Sequence, residues 1–259
     1  MESDPISPIG VFDSGVGGLS ILRALRAELP AERFVYLADS GFAPYGERED
    51  SFVVERARAI AQRLLEEHAI KALVIACNTA TAAAVHLLRE QLPGLPIVGV
   101  EPALKSALAL TRTGRIGVLA TRGTLASAKF AALHEGLKQR AEFVLQPCDG
   151  LADAIESHDA RRIEELCALY IASMGRFGSE PGAIDTLVLG CTHYPFAQQH
   201  LRTVVGDAVR LVETGEPVAR QTRRLLEAAG LLKAEGAGAV AYLSTGDIAR
   251  LELSASRWL

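Results

Sequence analysis

Two cysteines with matching surroundings are the residues of this chain best suited to chemistry. Residues 73–80 read LVIACNTA and residues 187–194 read LVLGCTHY, so each cysteine ends an apolar run and precedes residues that cap helices. In open α/β sheets, ligands bind where strands end and the next helix begins. A helix N-terminus also lowers the pKa of a thiol and so favours the thiolate. We therefore predict that Cys77 and Cys191 are functional thiols that face one site.

A glycine-bearing turn near the N-terminus supplies a second set of polar groups. Residues 9–18 read IGVFDSGVGG, which places Asp13 and Ser14 directly after an apolar strand. The GxGG spacing does not satisfy the GxGxxG fingerprint of dinucleotide sites, and the Asp13 charge would oppose a pyrophosphate. A carboxylate pairs with an ammonium group, while a hydroxyl and backbone N–H groups hold a carboxylate. The pattern indicates an amino acid as ligand.

The segment ADSGFAPYGER, residues 38–48, follows another strand and contains Asp39, Pro44, Tyr45 and Gly46. Asp, Ser, Gly and Pro are common turn residues, so an ordinary turn explains the segment by itself. The segment follows the second strand and therefore lies close to the sheet edge that carries Asp13. This position favours the interpretation that it lines the ligand site.

The other two cysteines, Cys148 and Cys167, need no chemical role. Cys167 lies on the apolar stripe of a helical segment, where a small buried side chain suffices. No CxxC pair occurs, and a cysteine two residues from His193 is weak evidence for zinc, so we expect no metal. A pyridoxal phosphate enzyme needs a lysine at its site, and Lys71 stands at the wrong end of its strand. We therefore expect no cofactor.

Strands alternate with helical segments along the whole chain, which predicts an α/β fold with mainly parallel sheets. One helix is expected over residues 124–139. The string IGVLATRGT at 116–124 resembles IGVFDSGVGG, although shared strand-turn-helix propensity explains that shorter match nearly as well. Together with the two cysteine strings, this match predicts two pseudo-symmetric α/β domains and an active site in the cleft between them.

Charge and hydropathy exclude two classes of partner. The 259 residues carry a formal charge of −4 and no dense run of Lys or Arg, which argues against nucleic acid. The N-terminus, MESDPISPIGVF, has acids where a signal peptide has bases, and no apolar stretch reaches membrane-spanning length. We expect a cytoplasmic protein with no membrane contact.

Six strings occur in an order that makes the chain resemble a known family: VFDSGVGGLS, ADSGFAPYGER, LVIACNTATAA, GVEPA, IGVLATRGTL and LGCTHYPF. It is similar to the glutamate racemases of the cofactor-independent aspartate/glutamate racemase superfamily, from Ile9 to about Asp247. The resemblance implies that L- and D-glutamate are interconverted by two thiols, Cys77 acting on D-glutamate and Cys191 on L-glutamate.

The resemblance also implies the domain organisation and the setting. The C-terminal segment returns to the first domain, so residues 1–99 with 211–259 form the Cys77 side and residues 100–210 form the Cys191 side. D-Glutamate is a component of peptidoglycan, which implies a bacterial enzyme of cell-wall precursor supply. Family members are often dimers, which makes a homodimer the expected assembly, although no interface is visible in the sequence.

Individual roles follow from the same resemblance. Asp13 and His193 join the two cysteines as catalytic residues that tune the thiols or assist proton movement. Asp39 and Glu156 match family acids with auxiliary roles, although CDGLADAIE around Glu156 departs from the usual family sequence. The substrate-binding set is Asp13, Ser14, Pro44, Tyr45, Gly46, Asn78, Thr79, Thr121, Thr192 and His193.

Three other functions remain compatible with these residues. A racemase for aspartate or another amino acid would keep both cysteines. A cysteine hydrolase would use one thiolate with His193 as its base and would leave the second matched cysteine idle. A two-lobed binding protein would hold an amino acid without converting it.

Overall fold

The structure is a computed structural model that describes residues 4–259, and it divides into two compact units. The first unit runs to Val100 and resumes at Gly215–Leu259, and the second unit is Glu101–Thr214. Each unit contains one sheet in which every strand pairing is parallel. The predicted α/β class with mainly parallel sheets is confirmed.

The elements alternate along the chain as the hydrophobic pattern predicts. The strands are β1 (Ile9–Asp13), β2 (Arg33–Ala38), β3 (Ala72–Ile75), β4 (Ile97–Gly99), β5 (Arg115–Ala120), β6 (Glu142–Pro147), β7 (Thr186–Leu189), β8 (Arg210–Val212) and β9 (Ala239–Ser244). The helices are α1 (Leu19–Glu28), α2 (Asp50–His68), α3 (Asn78–Gln91), α4 (Leu104–Leu110), α5 (Arg122–Ala126), α6 (Ala128–Glu135), α7 (Leu151–Glu156), α8 (Ala160–Ser173), α9 (Gln198–Val205), α10 (Gly215–Ala228) and α11 (Ile248–Trp258). Two short 3₁₀ helices cover Tyr45–Glu47 and Tyr194–Ala197.

The two sheets repeat one topology. The first has the order β4-β3-β1-β2-β9, and the second has β6-β5-β7-β8, which read backwards is the same order without β9. The register repeats as well, since Ile9 pairs with Ala72 in the first sheet and Ile116 pairs with Thr186 in the second. Both cysteine strands therefore hold equivalent places. The short IGV match, which shared propensity could have explained, belongs to a structural repeat.

Strands β1, β2, β3, β5 and β7 are largely buried because helices cover them, so their sequences are continuous apolar runs and not alternating ones. In the first unit, α2 and α3 pack their apolar faces on β1, β2 and β3. In the second unit, α4 and α6 contribute to the cluster around β5 and β7.

The single helix expected over 124–139 is wrong. The chain forms α5 and α6, which are separated at Ser127. The Ser127 side chain accepts a hydrogen bond from the backbone N–H of Phe130 at 3.1 Å and so starts a new helix. This local cap interrupts an apolar pattern that by itself favours one continuous helix.

Candidate active site

The first unit gathers predicted site residues at the carboxyl edge of its sheet. Asp13 is the last residue of β1, Asp39 directly follows β2, and Cys77 follows β3 after one residue. Because these three strands are adjacent and parallel, their ends meet at one edge. Asp13, Asp39 and Cys77 are all buried.

Cys77 caps helix α3 with its sulfur. The Sγ atom accepts a hydrogen bond from the backbone N–H of Ala80 at 3.4 Å, and it lies 3.8 Å from the hydroxyl of Ser14. A helix N-terminus carries partial positive charge and stabilises an anion placed there. The geometry therefore favours the thiolate of Cys77, as expected from the sequence.

Asp13 is fixed by the glycine turn that follows it. Its Oδ2 accepts a hydrogen bond from the backbone N–H of Gly18 at 2.7 Å. A Cβ at Gly18 would lie 2.7 Å from both the Asp13 Cβ and the Tyr36 hydroxyl, so only glycine allows this approach. The hydroxyl of Tyr36, on the neighbouring strand β2, also donates to the carbonyl of Gly15 at 2.7 Å and so fixes the turn.

Asn78 and Thr79 begin helix α3 and are buried beside Cys77. The Asn78 amide donates to the carbonyl of Val100 at 3.5 Å, while its Oδ1 has no hydrogen-bond partner among residues 4–259. Leaving a buried acceptor unpaired costs about 1–3 kcal/mol. Such an atom at the sheet edge is suited to accept a hydrogen bond from a ligand.

Tyr45 is held by Asp39. Its hydroxyl donates to Oδ2 of Asp39 at 2.5 Å, and Arg56 makes two hydrogen bonds to the same carboxylate at 2.8 and 2.9 Å. Burial raises the pKa of Tyr45, and the hydrogen bond to Asp39 raises it further, so the phenol stays protonated at neutral pH. Tyr45 and Cys77 belong to one cluster of buried side chains.

The remaining residues of this segment are less enclosed. Pro44 is exposed and precedes the 3₁₀ helix that Tyr45 begins, and Gly46 is half-buried within that helix. Both oxygens of Asp39 accept hydrogen bonds from protein groups, including the hydroxyl of Tyr45.

The second unit places its cysteine in the equivalent position. Cys191 follows β7 after Gly190, whose N–H donates to the carbonyl of Leu119 at 2.7 Å. A Cβ at Gly190 would lie 2.7 Å from that same carbonyl oxygen, so the strand end is packed closely on β5. Thr192 is buried next to the thiol, and Pro195 lies in the first turn of the following 3₁₀ helix, where proline is well tolerated.

His193 joins Cys191 to Glu156. Its Nδ1 lies 3.7 Å from the Cys191 sulfur, and its Nε2 lies 2.7 Å from Oε1 of Glu156. Burial alone would lower the pKa of His193, but its contacts with Cys191 and Glu156 outweigh burial and raise that pKa well above the ordinary value. The imidazole ring therefore links the thiol of Cys191 to the carboxylate of Glu156.

Thr121 follows β5 at the same edge of the second sheet. Its hydroxyl oxygen accepts a hydrogen bond from the Thr124 N–H at 3.2 Å, and its hydroxyl lies 2.9 Å from the Thr124 hydroxyl. These bonds cap helix α5, and the side chain is half-buried.

The other two thiols have different surroundings. Burial raises the pKa of Cys167 to about 12, and burial together with the neighbouring Cys191 raises the pKa of Cys148. Both therefore stay protonated at neutral pH and are poor bases. All four cysteines are free thiols.

No group of three or more His, Cys, Asp or Glu side chains among residues 4–259 could hold a metal ion. None of the helices there is both long enough and apolar enough to cross a membrane.

The sequence profile of the Asp/Glu/Hydantoin racemase family matches residues 9–222. The chain belongs to this family. The resemblance noted in the sequence is thereby confirmed. The profile includes both cysteine strings and the two similar strings IGVFDSGVGG and IGVLATRGT.

Several glutamate racemases align with nearly the whole chain. A glutamate racemase from Ectopseudomonas mendocina is 51% identical over 248 residues, which are 95% of this chain and 92% of that protein. Escherichia coli glutamate racemase, solved with L-glutamate and the activator UDP-MurNAc-Ala, has a TM-score of 0.83 and 32% identity over 97% of this chain and 95% of that one. Glutamate racemase from Francisella tularensis, solved with D-glutamate, has a TM-score of 0.81 and 25% identity over 98% and 94% of the two chains.

Sequence reasoning missed Arg56 and Thr245, which both bind Asp39. A signal for Arg56 exists in the sequence. It lies on the buried face of α2 between Val53 and Ala57, where a charged side chain needs an ionic partner. No comparable signal marks Thr245, because its contact depends on the pairing of β9 with β2.

Proposed function

We propose that this protein interconverts L- and D-glutamate by 1,1-proton transfer between two thiols, without a cofactor. One observation carries the proposal. Each structural repeat places a buried cysteine two residues after the end of its third strand, and each cysteine lies beside a group that can stabilise negative charge. That group is the N-terminus of α3 for Cys77 and the imidazole of His193 for Cys191.

Inversion at Cα needs two acid/base groups on opposite faces of the carbon. One thiolate removes the Cα proton, and the other thiol donates its proton to the opposite face, so the enzyme ends with the protonation states exchanged. Cys77 acts on D-glutamate and Cys191 on L-glutamate. The next turnover in the same direction begins after the two thiols have re-equilibrated with water.

Substrate recognition is proposed from the groups at the two sheet edges. The Asp13 carboxylate and the Asn78 Oδ1 suit the ammonium group of an amino acid, since one is anionic and the other is a buried acceptor without a partner in residues 4–259. Ser14, Thr79 and Thr192 supply hydroxyl groups for carboxylate oxygens. Relatives solved with D-glutamate and with L-glutamate support glutamate as the amino acid.

The Cα proton is a very weak acid, so the site must stabilise negative charge that develops on the substrate. Preorganised N–H groups and cations are the effective means. The start of α3 supplies N–H groups beside Cys77, and His193 supplies a cation beside Cys191, where its pKa is raised. His193 therefore assists proton transfer in addition to binding, and Asp13 is proposed to do the same on the basis of the family resemblance.

A cysteine hydrolase is the second candidate, and one observation favours it. Cys191, His193 and Glu156 form a thiol-imidazole-carboxylate series with contacts of 3.7 and 2.7 Å, as in a nucleophilic triad. That function would leave Cys77 without a role, although it holds the equivalent place in the first repeat.

The setting proposed for the reaction is the bacterial cytoplasm, where D-glutamate is supplied for peptidoglycan. A homodimer stays a prediction from the family resemblance. Sedimentation of the purified protein at several concentrations measures it directly.

The deciding experiment uses D-glutamate in D₂O with the purified protein and no added cofactor. We expect optical rotation to fall to zero while deuterium enters Cα, measured by polarimetry and NMR. D-Aspartate and D-alanine under the same conditions test the amino-acid class. Constant rotation with no deuterium at Cα of D-glutamate would refute the racemase proposal, and release of a carboxylate from an ester or amide substrate would support the hydrolase.

A further inference from the structure

The end of β9 is tied to the segment that carries Tyr45 through Thr245. The Thr245 N–H donates to the carbonyl of Ala38 at 3.0 Å and extends the pairing of β9 with β2 by one residue. The Thr245 hydroxyl donates to Oδ1 of Asp39 at 2.8 Å and accepts from the N–H of Gly41 at 3.1 Å. One side chain thus bonds both the acid that holds Tyr45 and the backbone that leads to it.

The backbones are also packed closely at this point. A Cβ at Gly41 would lie 2.7 Å from the carbonyl oxygen of Thr245, so no larger residue fits without displacement. Gly41, at the start of the segment that leads to Tyr45, therefore packs directly against the turn after β9.

The Asp39 carboxylate receives four hydrogen bonds, two on each oxygen. Thr245 and Arg56 donate to Oδ1, and Tyr45 and Arg56 donate to Oδ2. The Arg56 guanidinium also lies 3.6 Å from the centroid of the Phe42 ring, which fixes its plane. The direction of the Tyr45 hydroxyl is therefore set by Asp39, and the direction of Asp39 by Arg56 and Thr245.

We propose that Arg56 and Thr245 are positioning residues, which orient Asp39 and thereby hold Tyr45 and residues 41–47 in place to bind substrate. The inference rests on the proposed function, in which Tyr45 belongs to the substrate-binding set. Thr245 lies outside the residues 9–222 that match the family profile. The C-terminal strand thus completes a binding element that is formed mainly by the first hundred residues.

The expected kinetic effect separates positioning from catalysis. Tyr45 contacts the substrate and not the transferred proton, so loosening it weakens ground state and transition state alike. Such a change raises KM and leaves kcat nearly unchanged. A general loss of folded protein would instead lower the apparent kcat at constant KM.

The test compares Thr245→Val, which keeps the shape and removes the hydroxyl, with Thr245→Ser, which keeps the hydroxyl. We expect the valine variant to raise KM for both glutamate enantiomers about tenfold with kcat within about twofold, and the serine variant to stay near wild type. Thr203→Val on exposed α9 is the matched control, since its hydroxyl bonds only its own helix. An unchanged KM in Thr245→Val would overturn the inference.

Arg56 is tested by Arg56→Lys, which keeps the charge and loses the two-pronged hydrogen bond to Asp39. The same rise in KM is expected. Arg63→Lys is the control on the same helix, where Arg63 makes an exposed ion pair with Glu67. A KM in Arg56→Lys no higher than in Arg63→Lys would contradict a positioning role for Arg56.

Amide hydrogen exchange tests the same inference without the reaction. Residues 41–48 should exchange faster in Thr245→Val than in wild type, Thr245→Ser or Thr203→Val, while peptides from α3 should stay unchanged. Equal exchange in all four proteins would overturn the inference even if every one is active. If wild type does not racemise glutamate, the proposed function fails, and the exchange data still decide whether Thr245 holds the segment.

Discussion

The Nε2 of His193 lies 2.7 Å from Oε1 of Glu156. Both groups are largely enclosed, with side-chain exposures of 5% for His193 and 16% for Glu156, so their interaction is only weakly screened by solvent. The carboxylate sets the orientation of the ring and stabilises its protonated form. Glu156 therefore influences Cys191 through the ring, because the Cys191 sulfur lies 3.7 Å from Nδ1 of His193.

Replacing Glu156 with Gln should lower the pKa of His193, because the carboxylate is one of the contacts that raise it. The alkaline limit of kcat/KM should then move to lower pH, and kcat/KM near pH 8 should fall by about 10- to 100-fold. The pH dependence of kcat/KM, measured with L-glutamate, checks this. Glu216→Gln on exposed α10 is the control, and an alkaline limit shared by both variants would contradict the role given to Glu156.

Replacing either Cys77 or Cys191 with Ser should lower kcat for racemisation by a factor of at least about 10³, since a serine hydroxyl is a far weaker acid than a thiol. Full activity in either variant would refute the two-thiol mechanism. Cys167→Ala is the matched control, because Cys167 is buried within α8 and belongs to neither cysteine string. It should keep its activity and lose about 1 kcal/mol of stability, measured by urea unfolding.

Asp185 stabilises the second unit through the turn before β5. Its carboxylate accepts hydrogen bonds from the Thr111 hydroxyl at 2.6 Å, from the Arg112 and Thr113 N–H groups at 2.6 and 3.1 Å, and from the Thr186 hydroxyl at 3.0 Å. Burial alone would raise the pKa of Asp185, but these four bonds outweigh it and lower the pKa.

Asp185→Asn should therefore cost about 2 kcal/mol of unfolding free energy at pH 7. A lowered native pKa means that the stabilisation is present above the unfolded pKa of about 3.9 and is lost as pH falls through the native value. Urea unfolding at pH 7 and at pH 3 should show the difference from wild type shrinking at the lower pH. Asp207→Asn, at an exposed position, is the control, and a difference that grows with acidity would contradict the assignment.

Lys71 forms a buried ion pair at the amino edge of the first sheet. Its Nζ lies 2.6 Å from Oε2 of Glu32 and donates to the carbonyl of Pro5 at 2.6 Å, with both charged side chains almost fully enclosed. Lys71→Met should cost about 3–5 kcal/mol, because it leaves a buried carboxylate without its partner.

The double variant Lys71→Met, Glu32→Gln should recover part of that loss of stability. Urea unfolding of wild type, Lys71→Met, Glu32→Gln and the double variant measures this recovery as a coupling energy. The folded single variant should keep wild-type kcat, since the pair lies at the strand edge opposite Cys77. Additive losses in the double variant would contradict an ion pair.

The order of strands and helices, the repeat and the positions of Asp13, Cys77 and Cys191 at strand ends can all be predicted from local sequence patterns. These features are local: apolar runs specify buried strands, polar caps start the helices, and parallel pairing then brings strand ends to one edge. Ser127 shows the limit of pattern reading, since a single side-chain cap divided a helix that periodicity favoured.

Which polar side chains contact one another depends instead on tertiary packing. Glu156 reaches His193 from 37 residues away, Arg56 reaches Asp39 from 17, and Thr245 reaches Asp39 from 206. The equal register of the two sheets was likewise visible only once the strands were paired. Contacts of this kind depend on how elements pack together, and a charged or hydroxyl side chain does not by itself specify a distant partner.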